Sequence, residues 1–244
     1  MLRFLQESNN KVNNFYTPTG IHVYVKDPLT NGLDMEEIVN FVESRVPNRF
    51  LAEVEMIIVG DLEEFKDRKI NAMYKDGCLY ITNEQDDADD LIDDIIHEIA
   101  HSLEEPFGLE IYGDKKLSSE FLNKRGQLRN ILWQHGYKTQ LNFFMNTEYD
   151  IEFDDFLLNK VGYDKLSILM QGLFISPYAA TSLREYFATG FTDFFMESDH
   201  RLLKSISPVL YSKIKNLYKD DWQACFSMLY YTHGETIWNT YHIL

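Results

Sequence analysis

The run Ile21-His22-Val23-Tyr24-Val25 alternates inward and outward positions and predicts a first strand. Val54 to Val59 is a second apolar run, closed by Gly60-Asp61. Between them, Asp34 through Val39 opens a helix with an acidic first turn, and Pro47 closes it. Ala72 to Lys75 and Cys78 to Ile81 flank Asp76-Gly77, the strongest short hairpin signal in the chain. The period then changes. Ala88, Leu91, Ile92, Ile95, Ile96, Ile99, Ala100 and Leu103 recur at helical spacing, which predicts a long helix from Asp86 to Glu104 with a wide buried stripe, ended by Pro106. Beyond it the strand signals fade. Helices are predicted at Ser118–Trp133, Tyr163–Gly172, Ser182–Phe195 and Pro208–Tyr218, before a tail rich in Trp and Tyr. The class is α+β, with a strand-containing lobe over 1–105 that ends in the long helix and a helical lobe over 106–244.

Composition narrows the partners. With 244 residues, 45% of them hydrophobic, the chain can build one sizeable core, and low-complexity architectures are excluded. Its 39 acidic against 23 basic residues leave a net charge of −16. Nucleic-acid backbones and anionic membrane surfaces are repelled at long range, so neither is an expected partner. Cys78 and Cys225 are too few for a disulfide framework. The start, Met1 to Glu7, turns polar too soon for a signal peptide. The apolar stretch from Ser167 to Ala180 is broken by Gln171, Gly172, Ser176 and Pro177, so no membrane span is expected. The expected setting is the cytoplasm or the interior of a particle.

The long helix carries His97-Glu98-Ile99-Ala100-His101, an H-E-x-x-H sequence. Residues four apart lie one turn apart on one helix face, so both imidazoles can reach a single metal ion. Glu98 stands beside the first ligand, where a carboxylate can take a proton from an activated water. Imidazole with carboxylate suits zinc, at one ion per chain. The aspartates from Asp86 to Asp94 read as a solvated run at a helix N-terminus, since they lack the Gly-punctuated pattern of a calcium loop.

A catalytic zinc site needs a third protein ligand. The peptidases that use a downstream histidine want a glycine and that histidine where this chain has Glu104 and Phe107. Glu104 and Glu105 share the helix with the imidazoles and are too close along its axis to close a tetrahedron easily. Cys78 is a hairpin-borne rival without the accompanying signatures of deformylase-type enzymes. Two carboxylates remain. Glu120 lies nineteen residues after His101, on a predicted helix that continues with Asn123, Lys124, Arg125 and Gln127 and reads as solvated. Glu185 opens the segment Glu185-Tyr186-Phe187-Ala188, whose apolar face predicts firm docking beside the metal helix.

The two stretches His97 to His101 and Tyr178-Ala179-Ala180-Thr181-Ser182-Leu183-Arg184-Glu185-Tyr186-Phe187-Ala188 together resemble the gluzincin metallopeptidases, and among them the anthrax-lethal-factor-type catalytic domain. The likeness includes a tyrosine seven residues before a glutamate that opens an E-aromatic-F-A helix. It implies a zincin-like fold, a small twisted sheet packed on the H-E-x-x-H helix. It further implies His97, His101 and Glu185 as zinc ligands, Glu98 as general base, and Tyr178 as the hydroxyl facing the developing oxyanion. The chain departs from that pattern at Thr189, where the family commonly has an acid, and in the long interval over 102–177. Of the other histidines, His233 is the candidate for an imidazole opposite Tyr178.

The function expected is zinc-dependent hydrolysis of peptide bonds in a protein or peptide substrate, held extended along an exposed edge strand. The competing expectation is a structural or adaptor protein of a larger assembly, phage-like in flavour, that keeps a zincin fold and its zinc without turnover.

Overall fold

In a computed structural model, which describes residues 13–63, 65 and 70–219, one mixed five-stranded sheet, interrupted in sequence by a helix, is followed by further helices. The strands are β1 (Asn13–Tyr16), β2 (His22–Val25), β3 (Met56–Val59), β4 (Ala72–Lys75) and β5 (Cys78–Ile81), in the spatial order β1-β2-β3-β5-β4. The three central strands are parallel and each outer strand pairs antiparallel with its neighbour. Register aligns Val23, Ile57 and Leu79 in one row and Val25, Val59 and Ile81 in the next. All six are buried, because side chains two apart share a face and this face lies under the helices.

The Asp76-Gly77 turn behaves as its sequence dictates. Both residues have positive φ (50° and 80°), the geometry that turns a strand pair with the right-handed twist of its neighbours. Helix α1 (Met35–Arg45) starts where Asp34 accepts from the backbone N–H of Glu36. Helix α2 (Ala88–Ser102) starts where the Asp87 side chain accepts from the N–H of Asp90 at 3.0 Å. It buries Leu91, Ile92, Ile95, Ile96, Ile99 and Ala100, and packs against β4, β5 and α1. The helix ends at Ser102, short of the predicted Glu104, which instead sits in the turn that follows.

The helices beyond are α3 (Gly108–Tyr112), α4 (Lys116–Gln134), α5 (Ile151–Asp155), α6 (Tyr163–Leu169), α7 (Leu183–Met196), α8 (Arg201–Ile206) and α9 (208–219). A π-helical stretch, Phe156–Gly162, joins α5 to α6. Helix α7 lies along α2 and buries Tyr186, Phe187, Ala188, Phe191, Phe194 and Phe195. Phe50 meets Phe107, Phe191 and Phe195 edge-on, tying the segment after α1 to α7 through aromatic contacts. Gly190 allows α9 its close approach, for a Cβ there would stand 2.3 Å from Leu210 Cδ2. The hydrophobic core is one continuous cluster reaching from Ile21 to Leu217. Among the described residues no helix is long and apolar enough to cross a membrane.

The expectation of a solvated α4 is overturned. Lys124 and Arg125 are buried, at 5% and 1% exposure. Lys124 Nζ donates to the carbonyls of Leu173 and Ile206, and Arg125 donates to those of Thr181 and Phe143. The rings of Phe174 and Tyr186 lie beside the Lys124 ammonium and that of Phe153 beside the Arg125 guanidinium. Carbonyl acceptors and ring faces substitute for water around both cations.

Candidate metal centre

Helix α2, which packs against both β4 and α7, presents His97, Glu98 and His101, all three part-buried. The ligand-type atoms of these three side chains lie within 4.8 Å of one another, a grouping able to hold a metal ion. Glu185 reaches the same point from the first turn of α7. Its Oε2 is 2.9 Å from His97 Nε2 and 3.4 Å from His101 Nε2. The backbone of Glu185 is fixed by Ser182, whose hydroxyl accepts the Glu185 N–H at 3.2 Å and caps the helix. The Glu185 side chain does not fold back on that cap but turns to the two imidazoles.

Glu98 faces the sheet. Tyr74 is one of the β4 residues whose N–H points away from β5, and that N–H donates to Glu98 Oε2 at 2.6 Å. Burial pushes the Glu98 pKa up, opposed by the charges of His101 and His97 and by the Tyr74 N–H. Burial acts against the charge of Glu185 too, yet hydrogen bonds from His101 and His97 overcome it and hold its pKa down at about 2. Tyr178 sits in the turn before α7, its ring centroid 6.0 Å from that of His97. Burial first, and then the negative charge of Glu185, raise its pKa, so the phenol stays protonated and able to donate.

The rival positions fall elsewhere. Glu120 accepts from the Tyr186 hydroxyl at 2.9 Å and from the N–H groups of Val209 and Leu210 at 2.8 and 3.1 Å, so it caps α9. Cys78 is buried and its thiol donates to the Leu79 carbonyl. Asp94 accepts from Gln85 Nε2 at 3.3 Å, and burial pushes its pKa up to about 6. Thr189 is half-buried on α7. His233 and Cys225 lie outside the described residues.

Three features at the centre escape sequence reasoning. Glu104 Oε1 accepts from His101 Nδ1 at 2.6 Å, and Arg184 Nε donates to Glu104 Oε2 at 2.7 Å. The spacing of Glu104, three residues after His101, is the one signal that could have found it. The Tyr74 N–H is main chain and leaves no mark on the sequence. Finally, Asp154 accepts from the hydroxyls of Tyr149 (2.8 Å) and Tyr163 (2.9 Å), and its charge also raises the Tyr178 pKa.

No family model matches this chain, and comparison with curated proteins and with solved structures finds no match either.

Proposed function

We propose that this chain is a zinc-dependent metallopeptidase of zincin-like fold, with His97, His101 and Glu185 as the metal ligands. One observation carries the reading: a carboxylate oxygen from α7 converges on both Nε2 atoms presented by α2. Tetrahedral zinc with bonds of about 2.0–2.1 Å keeps neighbouring ligand atoms roughly 3.3 Å apart. The imidazole-to-carboxylate separations of 2.9 and 3.4 Å bracket that value. Two imidazoles and one carboxylate are also the donor set of an open hydrolytic site.

When bound, zinc would activate a water and polarise the scissile carbonyl. Glu98 is the group placed to accept the proton from that water and pass it to the leaving amine. Its raised pKa moves a carboxylate toward the range where both transfers are efficient. Tyr178, protonated and beside His97, is placed to donate to the oxyanion of the tetrahedral intermediate. β4 is the outer strand of the sheet, and its outward main-chain groups other than the Tyr74 N–H, which Glu98 takes, would serve an extended substrate.

The test is Glu98→Gln with a peptide library as substrate. Zinc content is expected to stay at one per chain while cleavage is lost. Near-wild-type cleavage by Glu98→Gln would sink the mechanism. A wild-type chain that binds zinc stoichiometrically and cleaves nothing would favour the structural role in a larger assembly.

A further inference from the structure

Glu104 follows α2 in the turn before Pro106, and its side chain is only 13% exposed. Both of its oxygens are engaged. Oε1 takes the Nδ1–H of His101 and Oε2 takes the Nε–H of Arg184. Arg184 directly precedes Glu185 in α7. A closed circuit therefore runs from His101 to Glu104, across to Arg184, one residue along the backbone to Glu185, and back to His101 Nε2 at 3.4 Å.

Each link has a physical consequence. An imidazole whose Nδ1–H is held by a carboxylate keeps its Nε2 lone pair for a metal and cannot rotate about its ring axis. Arg184 directly precedes Glu185, so its bond to Glu104 ties the turn after α2 to the first turn of α7, although the arginine side chain is 59% exposed. The His101 contact is shielded on both sides, at 11% and 13% exposure, whereas the arginine reaches it from the solvent side and is the weaker link.

We propose that Glu104 is a positioning residue of the metal centre, fixing the His101 ring and clasping the start of the Glu185 helix through Arg184. The inference rests on the metallopeptidase reading for its ligand set, but it needs metal binding and not turnover.

The experiment measures zinc affinity by chelator competition, and the visible spectrum of bound Co2+, on the full chain. The proteins are wild type, Glu104→Gln, Glu104→Ala, Arg184→Ala and the double Ala variant. Glu104→Ala is expected to lose about 10- to 100-fold in zinc affinity, the usual effect of removing a partner that orients a ligand. Glu104→Gln, which still accepts the Nδ1–H, is expected to recover at least threefold of that loss. Arg184→Ala alone is expected to lose less than Glu104→Ala. The double variant is expected to match Glu104→Ala within about twofold, because the arginine acts through the carboxylate. An altered Co2+ spectrum should accompany the loss in Glu104→Ala.

Equal zinc affinity in all five proteins overturns the proposal, as do equal deficits in Gln and Ala with the Arg184 loss simply adding. If Glu104→Ala does not fold, Arg184→Ala at wild-type affinity overturns the clasp. Zinc bound without peptide cleavage defeats the proposed activity and leaves this ranking to decide the role of Glu104. A wild-type chain that binds no zinc defeats both.

Discussion

Glu120 and Glu185 are chemically identical side chains with opposite surroundings, and their contrast is measurable. Glu185→Ala removes an oxygen shared by two imidazoles and should weaken zinc binding at least tenfold, about 1.4 kcal/mol. Glu120→Ala should leave zinc affinity unchanged but destabilise the fold by about 2 kcal/mol, because the Tyr186 hydroxyl and two N–H groups of α9 lose their acceptor. Zinc titration and urea unfolding of the two variants check both halves. Tyr178→Phe should keep zinc and slow turnover by roughly 3 kcal/mol in activation free energy, the worth of one oxyanion donor. Steady-state kinetics at full zinc loading read that loss. Lys124 gives a pH signature. Burial lowers its pKa from 10.5 to about 8, so its contribution to stability is present above pH 10.5 and lost as pH falls through 8. The stability of wild type relative to Lys124→Met should therefore rise between pH 8 and 10.5, which paired unfolding curves across that window will show.

At the scale of elements, helix α7 must satisfy two neighbours at once. It packs along α2, and its Gly190 lies toward α9, where any Cβ would strike Leu210. Gly190→Ala should cost about 1–3 kcal/mol from overpacking, seen as a lower urea midpoint with unchanged slope. The elements differ in how plainly their sequences announce them. Helix α2 and the β4–β5 hairpin are legible because each has a strong local cause: eight apolar positions at helical spacing in one, Asp76-Gly77 in the other. Strand β1 is not, since Asn13-Asn14-Phe15-Tyr16 has no alternation and owes its form to pairing with β2. Glu185 is legible through the apolar run behind it. Glu104 is not, because a separation of three residues says that a carboxylate is near an imidazole but not which ring nitrogen it meets, and the helix ends between the two. The polar look of α4 misleads for a related reason. Lys124 and Arg125 are buried by carbonyls contributed from distant segments, and no window of local sequence contains them.

For the molecule as a whole, the metal would join two helices that are already packed. Ile95, Ile99 and Ala100 of α2, with Phe187 and Phe191 of α7, are buried without any help from an ion. Chelation should therefore leave the far-ultraviolet circular dichroism intact. Zinc at a hundred times its Kd should then add about 2.7 kcal/mol, a rise in Tm of roughly 5–10 °C at this chain length. A chain that unfolds on chelation would contradict the independent core.

The strand order carries a consequence for how the chain finds this state. β1 with β2, and β4 with β5, are joined by short turns and can pair within microseconds as local hairpins. β3 belongs to neither. It must enter between β2 and β5, parallel to both, after its connections on either side have closed. Such non-local pairing is slow to search for, so the insertion of Met56–Val59 is where the folding barrier should lie. Changes at Ile57 would then slow folding, whereas changes confined to the α7–α9 seam would mainly hasten unfolding.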